Sequence, residues 1–129
     1  MQHIPTDIKL HSKSRILEVA FSDRTFMLPC EYLRVHSPSA EVKGHGPGQE
    51  VLQVAKEQVN IVSIEPIGNY AIKLIYSDAH NSGIYSWDYL YELGSEKVSK
   101  WQQYLQRLAD NGTVRNAQQS DHYLLEKSN

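Results

Sequence analysis

A chain of 129 residues has room for one domain with a real but modest core. Its formal net charge is −2, with 15 Asp and Glu against 13 Lys and Arg, so no broad basic face is available to neutralise phosphates or anionic lipid, and neither nucleic acid nor membrane is an expected partner. Cys30 is the only cysteine, which excludes an internal disulfide and any zinc centre made of several of the chain's own thiolates.

The N-terminus, Met1-Gln2-His3-Ile4-Pro5, lacks the basic start and apolar run of a secretory signal, and no stretch is long enough to span a bilayer. A cytoplasmic location is the expectation. From Asp7 to Leu28 the apolar residues recur with period two: Ile8 and Leu10, then Leu17, Val19 and Phe21, then Phe26 and Leu28. The breaks at Ser12-Lys13-Ser14 and Ser22-Asp23-Arg24 are short and polar, so an antiparallel meander is predicted. Pro29 suits the first position of a helix over Cys30 to Val35, which must stop near Ser37 because Pro38 disfavours helical geometry in the residue before it.

Gln49 to Gln58 fits either a helical turn or a short strand. Strand signal returns with the β-branched Val59, Ile61, Val62 and Ile64, and Pro66-Ile67-Gly68-Asn69 reads as a tight turn into a strand from Tyr70 to Tyr76. Ser77 to Gly83 turns the chain again into a short strand at Ile84-Tyr85. Ser86 can cap a helix that has Asp88 in its first turn and Gly94 at its end. A second helix from Ser95 aligns Val98, Trp101, Leu105 and Leu108 on one stripe and stops at Asn111-Gly112. Residues 112–129 turn polar, offer only Tyr123, Leu124 and Leu125 for burial, and are expected to form a disordered tail. The fold class is therefore α+β over residues 1–111: an antiparallel sheet of about five or six strands, a short helix after the third strand and two C-terminal helices.

The stretch Tyr32 to Gly48 has no strand or helix period, yet it gathers Arg34, His36, Ser37, Ser39, Glu41 and His45 among three glycines. Long irregular loops inside compact domains tend to carry function. Leu33-Arg34, Ser37-Pro38-Ser39-Ala40-Glu41, Gly44-His45-Gly46-Pro47-Gly48, Gly68-Asn69-Tyr70-Ala71, Asp78-Ala79-His80 and Gly83-Ile84-Tyr85-Ser86-Trp87 follow one another in an order that resembles the gamma-butyrobetaine-hydroxylase-like N-terminal domain family. The resemblance runs from about Pro5 to Leu108 and is to the stand-alone bacterial members, long known as a domain of unknown function.

The resemblance implies two contexts. In eukaryotic carnitine-pathway oxygenases the domain precedes a catalytic jelly roll and holds a structural zinc; in a plastid iron-sulfur carrier it sits at the C-terminal end. It also implies an iron-sulfur or oxygenase-related protein as the partner. The zinc ligands of the oxygenases, three cysteines and a histidine, fall on Ser37, Ser39, Val42 and His80 here. Two hydroxyls and a valine cannot replace three thiolates. Ala79, where many relatives have glycine, implies an altered hairpin turn.

His36, His45 and His80, with Glu41 or Asp78, are the alternative set for a harder metal; against it, no pair has the i, i+4 spacing of H-E-x-x-H, and these histidines can instead tie the loop to the sheet through carbonyls. An iron-sulfur cluster usually wants four thiolates. None of the six histidines has an acid two positions on, as a non-haem iron triad commonly requires. Cys30 reads as a small buried thiol, Ser37 and Ser39 as turn formers beside Pro38, and the glycines as a tight turn without the lysine of a phosphate loop. Arg34 is placed to clamp Glu41 or loop carbonyls, and Tyr85, Trp87, Tyr89 and Tyr91 form an aromatic cluster for the core. The expectation is a module with no catalytic residues and no cofactor that binds a protein partner through Arg34, His36, Ser37, Ser39, Glu41 and His45 beside the His80 turn. A metal or iron-sulfur trafficking accessory is the alternative.

Overall fold

A computed structural model describes residues 3–125. Among them are six strands, in two three-stranded antiparallel sheets rather than one continuous sheet. The first sheet is the predicted meander, β1 (Asp7–His11), β2 (Ile16–Ala20) and β3 (Thr25–Pro29). Its register sets Ile8 opposite Val19 and Leu10 opposite Leu17, then Val19 opposite Phe26 and Leu17 opposite Leu28. One apolar row thus crosses all three strands, and on β2 and β3 it is fully buried.

The chain leaves β3 as helix α1 (Cys30–Val35), passes a single helical turn α2 (Ala40–Lys43) and an irregular crossing over residues 44–60, then enters β4 (Ile61–Ile67), β5 (Ala71–Tyr76) and β6 (Ile84–Ser86). The sheets stay separate because β3 packs against helices instead of β4. Residues 49–58 form neither helix nor strand. Pro66 and Ile67, expected in the turn, continue β4 opposite Ile72 and Ala71; β4 is an edge strand, where a missing N–H is tolerated.

Helices α3 (Trp87–Ser95) and α4 (Lys97–Asp110) follow. Ser86 caps α3 by accepting from the Tyr89 N–H at 3.1 Å, as predicted. Gly94 does not end that helix: it lies inside it, and a Cβ there would sit in the Phe26 ring. The glycine is a close-packing residue, and the cap falls on Glu96. Leu90 and Leu93 of α3, and Trp101, Tyr104 and Leu108 of α4, join Ile72, Leu74, Tyr76 and Tyr85 and the first sheet's inner row in one core. Each such side chain contributes about 1.5–3 kcal/mol by leaving water.

The expected tail behaves differently from its composition. Residues 126–129 lie outside the described residues, but helix α5 (Asp121–Leu125) packs on α4 and β3 with Leu124 fully buried. Arg115 stacks over Trp101 and reaches the buried Glu31 through two hydrogen bonds, and Asp121 through two more. Charge pairing to a site 84 residues away holds a segment with too few apolar residues to hold itself. Among the described residues no helix is long and apolar enough to cross a membrane.

Candidate functional site

The loop after α1 is fixed from its base. Arg34, 6 % exposed, lies between β5's far end and the crossing: its Nε donates to Asp78 at 3.0 Å and its Nη1 to Gln53 at 3.0 Å. The clamp predicted from sequence is therefore real, but its carboxylate is Asp78 rather than Glu41. Lys56 Nζ reaches the same Asp78 oxygen at 2.7 Å. Burial works against the charge on Asp78, but the Lys56 hydrogen bond, the His80 N–H and the Arg34 field outweigh it and hold the carboxyl below its ordinary value.

Next along the chain, Ser37 and Ser39 turn inward onto the β5–β6 hairpin. Ser37 Oγ meets His80 Nε2 at 2.9 Å, with both side chains buried, and Ser39 Oγ meets Ser82 Oγ at 2.7 Å. Ser82 donates to Glu41 Oε1 at 3.1 Å, and the other Glu41 oxygen stands 3.6 Å from His80 Nδ1. Ser39 also caps α2, accepting from the Glu41 N–H at 3.2 Å. Burial, reinforced by the Arg34 charge, keeps His80 below its ordinary pKa, so it is neutral at pH 7. The turn that delivers His80 holds Ala79 at φ 72°, a left-handed conformation that glycine adopts freely and that costs alanine on the order of 1 kcal/mol. The altered turn keeps the glycine-like backbone.

Tyrosine hydroxyls hold the loop's carbonyls. Tyr85 donates to Leu33 O at 2.7 Å, Tyr89 to His36 O at 2.6 Å and Tyr104 to Gln53 O at 2.6 Å. Sequence reading placed Tyr85 and Tyr89 in the core for their rings and missed this second use. The rings do pack there, and the alternation of β6 and the helical phase of α3 and α4 are the signals that aim them inward.

His36 caps α1 with Nδ1 2.9 Å from Tyr32 O. A carbonyl only accepts, so Nδ1 carries the hydrogen. Burial pushes this imidazole down to about 4. It lies in the wall of a groove of about 770 Å³ between the loop and helices α3 and α4. Lys43 and His45 stand on the loop side of that groove, Tyr89 and Glu92 on α3, and Lys100, Tyr104 and Arg107 on α4. Of the residues singled out from sequence, then, Arg34, Ser37 and Ser39 face inward with His80, His36 is half-buried at the groove, and Glu41 and His45 are exposed.

The donor set does not fit a structural zinc. His80 Nε2 is engaged by the Ser37 hydroxyl, Ser39 is engaged by Ser82, and Val42 supplies no donor. Among the described residues no three His, Cys, Asp or Glu side chains converge as metal ligands. Neither does the Ser37–His80–Glu41 sequence of contacts form a nucleophile site: Ser37 is 1 % exposed, Gly83 packs so closely that a Cβ would collide with its Oγ, and the 3.6 Å gap to Glu41 is too long for an orienting hydrogen bond. The arrangement holds a loop in place.

The family model for the gamma-butyrobetaine hydroxylase-like N-terminal domain matches residues 8–91. Two proteins solved in solution by NMR are similar over almost all of the chain. One has 47% identity and a TM-score of 0.79, covering 93% of this chain and 95% of its own. The other has 49% identity and a TM-score of 0.76, covering 88% and 86%. A crystal structure from Acidithiobacillus ferrooxidans, described as a protein of unknown function of the DUF971 family, has 38% identity and a TM-score of 0.60 over 71% of this chain and 93% of that one. Among curated proteins nothing matches.

Proposed function

The chain belongs to the gamma-butyrobetaine hydroxylase-like N-terminal domain family, a family of unknown function, and from that premise we propose that it is a non-catalytic interaction module whose partner is a protein. The working surface is the outer face of the loop, carried by Glu41 and His45 and continued by the rim of the groove. One observation carries this reading: the loop's polar residues divide into an inward set engaged in holding it and an outward set, His45 and the largely exposed Glu41, whose remaining tie is to Ser82. A loop held that firmly presents its outer side chains with little ordering left to do on binding. Ser37, Ser39 and Val42, standing where the resembling oxygenases have zinc-binding cysteines, support a scaffold stabilised by hydrogen bonds in place of an ion.

The test is affinity capture from the source cell, with masses recorded for every associated protein. A specific partner should be lost in the double variant His45→Ala with Glu41→Gln, and kept in Glu65→Ala on the exposed edge strand β4, with unchanged circular dichroism in both. A partner that binds the double variant as well as the parent would overturn the assignment.

A further inference from the structure

The groove behind the loop has a chemistry that the partner surface does not explain. Its volume of about 770 Å³ is in the range of small-molecule sites, and Val35, Val42 and Tyr104 give it an apolar lining. The charges around it do not cancel. Lys43 has no carboxylate partner among the described residues and rests 5.4 Å from the centroid of the Tyr89 ring. Arg107 spends one Nη2 hydrogen on the backbone carbonyl of Glu50, at 3.2 Å, and pairs with no carboxylate there. Lys100 is the third cation, shared with Glu92 at 3.3 Å. The second acid, Glu50, is drawn to the Gly48 N–H at 3.1 Å. One positive charge is therefore in excess, and Lys43 and Arg107 make no ion pair among the described residues.

His36 adds a different kind of group. Its Nδ1 hydrogen is committed to the Tyr32 carbonyl, so Nε2 carries a lone pair. No side chain donates to that lone pair and no buried side-chain nitrogen among the described residues is sealed off without a partner, so Nε2 keeps accessible surface on a residue that lines the groove. The charges of Lys100 and Arg107 reach the same ring and, after burial, help to keep it neutral. An acceptor thus sits inside a ring of donors, and an oxyanion with no hydrogen of its own, such as sulfate, satisfies only the donors.

We propose that this groove binds a small organic anion bearing a hydroxyl or amide hydrogen next to its charged group, with Arg107, Lys43 and Lys100 taking the charge and His36 Nε2 accepting the hydrogen. A bare oxyanion would meet the cations and leave the imidazole lone pair unused. An organic acid with a neighbouring hydroxyl meets both, and its carbon skeleton covers the apolar lining.

The experiment uses the purified full chain and three probes: malate, succinate, which differs by one hydroxyl, and inorganic sulfate, which carries no hydrogen. Binding is followed by calorimetry and by the imidazole proton resonances of His36. Malate should bind saturably, about fivefold or more tighter than succinate, the usual effect of one good hydrogen bond. Lys43→Ala and Arg107→Ala should each weaken malate by roughly tenfold, as charge-assisted contacts do. His36→Phe should bring malate down to the level of succinate; if that variant does not fold, the malate-to-succinate ratio of the parent decides. Equal affinities for malate and succinate would overturn the proposal. So would sulfate binding as tightly as malate, the mark of an adventitious ion only, or no saturation by about 10 mM. The assay contains no protein partner, so its failure leaves the interaction reading standing, and the loss of that reading leaves this site standing.

Discussion

The base of the central loop and the C-terminal segment are both irregular chain pinned to the core by a largely buried guanidinium, yet they differ in how much neutral hydrogen bonding stands beside it. The loop base adds to the Arg34–Asp78 ion pair five uncharged contacts: Ser37 to His80, Ser39 to Ser82, and three tyrosine hydroxyls on backbone carbonyls. The C-terminal segment hangs on one guanidinium between two carboxylates. Losing one member of a neutral network leaves a buried group unpaired, for about 1–3 kcal/mol; a buried ion pair is costlier to form and worse to break, because the survivor keeps its charge without its partner. The difference teaches that the loop has many modest restraints beside its ion pair and the segment one large one.

The largest effect should come from breaking the ionic anchor. Arg115→Ala leaves Glu31, 4 % exposed, without its counter-charge, and should cost about 3–5 kcal/mol in denaturant unfolding. Amide exchange should rise first over residues 113–125. A loss below about 1 kcal/mol would show that Leu124 and its neighbours suffice without the charge.

Acid separates the two regions next. His36 and His80 both have folded pKa values below 6.5, so the unfolded chain binds their protons more readily. Stability is therefore whole above pH 6.5 and falls as pH drops from there toward 4, the value for His36, by on the order of 2–3 kcal/mol. In the C-terminal segment burial opposes the charge on Asp121, but Arg115 and the Gln118 N–H hold it below 3.8, so its contribution is lost only at lower pH. Glu31, raised by burial against a partly offsetting Arg115, has the opposite sign and does not bring that loss forward. Hydrogen exchange across a pH series should thus loosen residues 36–45 before residues 113–125; simultaneous loosening would erase the distinction.

Ser37→Ala removes the hydroxyl that meets His80 Nε2 and leaves a buried imidazole nitrogen unpaired, for about 1–2 kcal/mol by thermal or urea denaturation. The smallest effect belongs to the outward set. His45→Ala should change stability by less than about 0.5 kcal/mol, since His45 is exposed. A larger loss would mean that the outer face also holds the loop.

Much of this was legible in the residues. Alternation located the first three strands, Ser86 located the start of α3, and the density of polar side chains after Arg34 marked the loop. Three features were hidden for one reason: they depend on contacts remote in sequence. Whether six strands make one sheet or two is decided by what lies beside β3. Gly94 reads as a helix end until Phe26, 68 residues earlier, is seen to fill the space of its absent side chain. Arg115 reads as a solvated charge until Glu31 comes into range. Within the candidate site, the resemblance brought His80 beside Ser37 and Ser39, but Arg34 was found without Asp78 and Ser39 without Ser82, and Lys43, Lys100 and Arg107 were missed, because their shared groove exists only after α4 folds back across the loop.

Cys30 carries a practical consequence. Its thiol is wholly enclosed, it donates to Asn60 Oδ1 at 3.6 Å, and burial pushes its pKa up to about 11. The thiolate, not the thiol, attacks alkylating reagents, so alkylation of the native chain must wait for the junction of β3 and α1 to open. The rate of a single labelling reaction then serves as an intrinsic clock for breathing of the core, with no introduced probe.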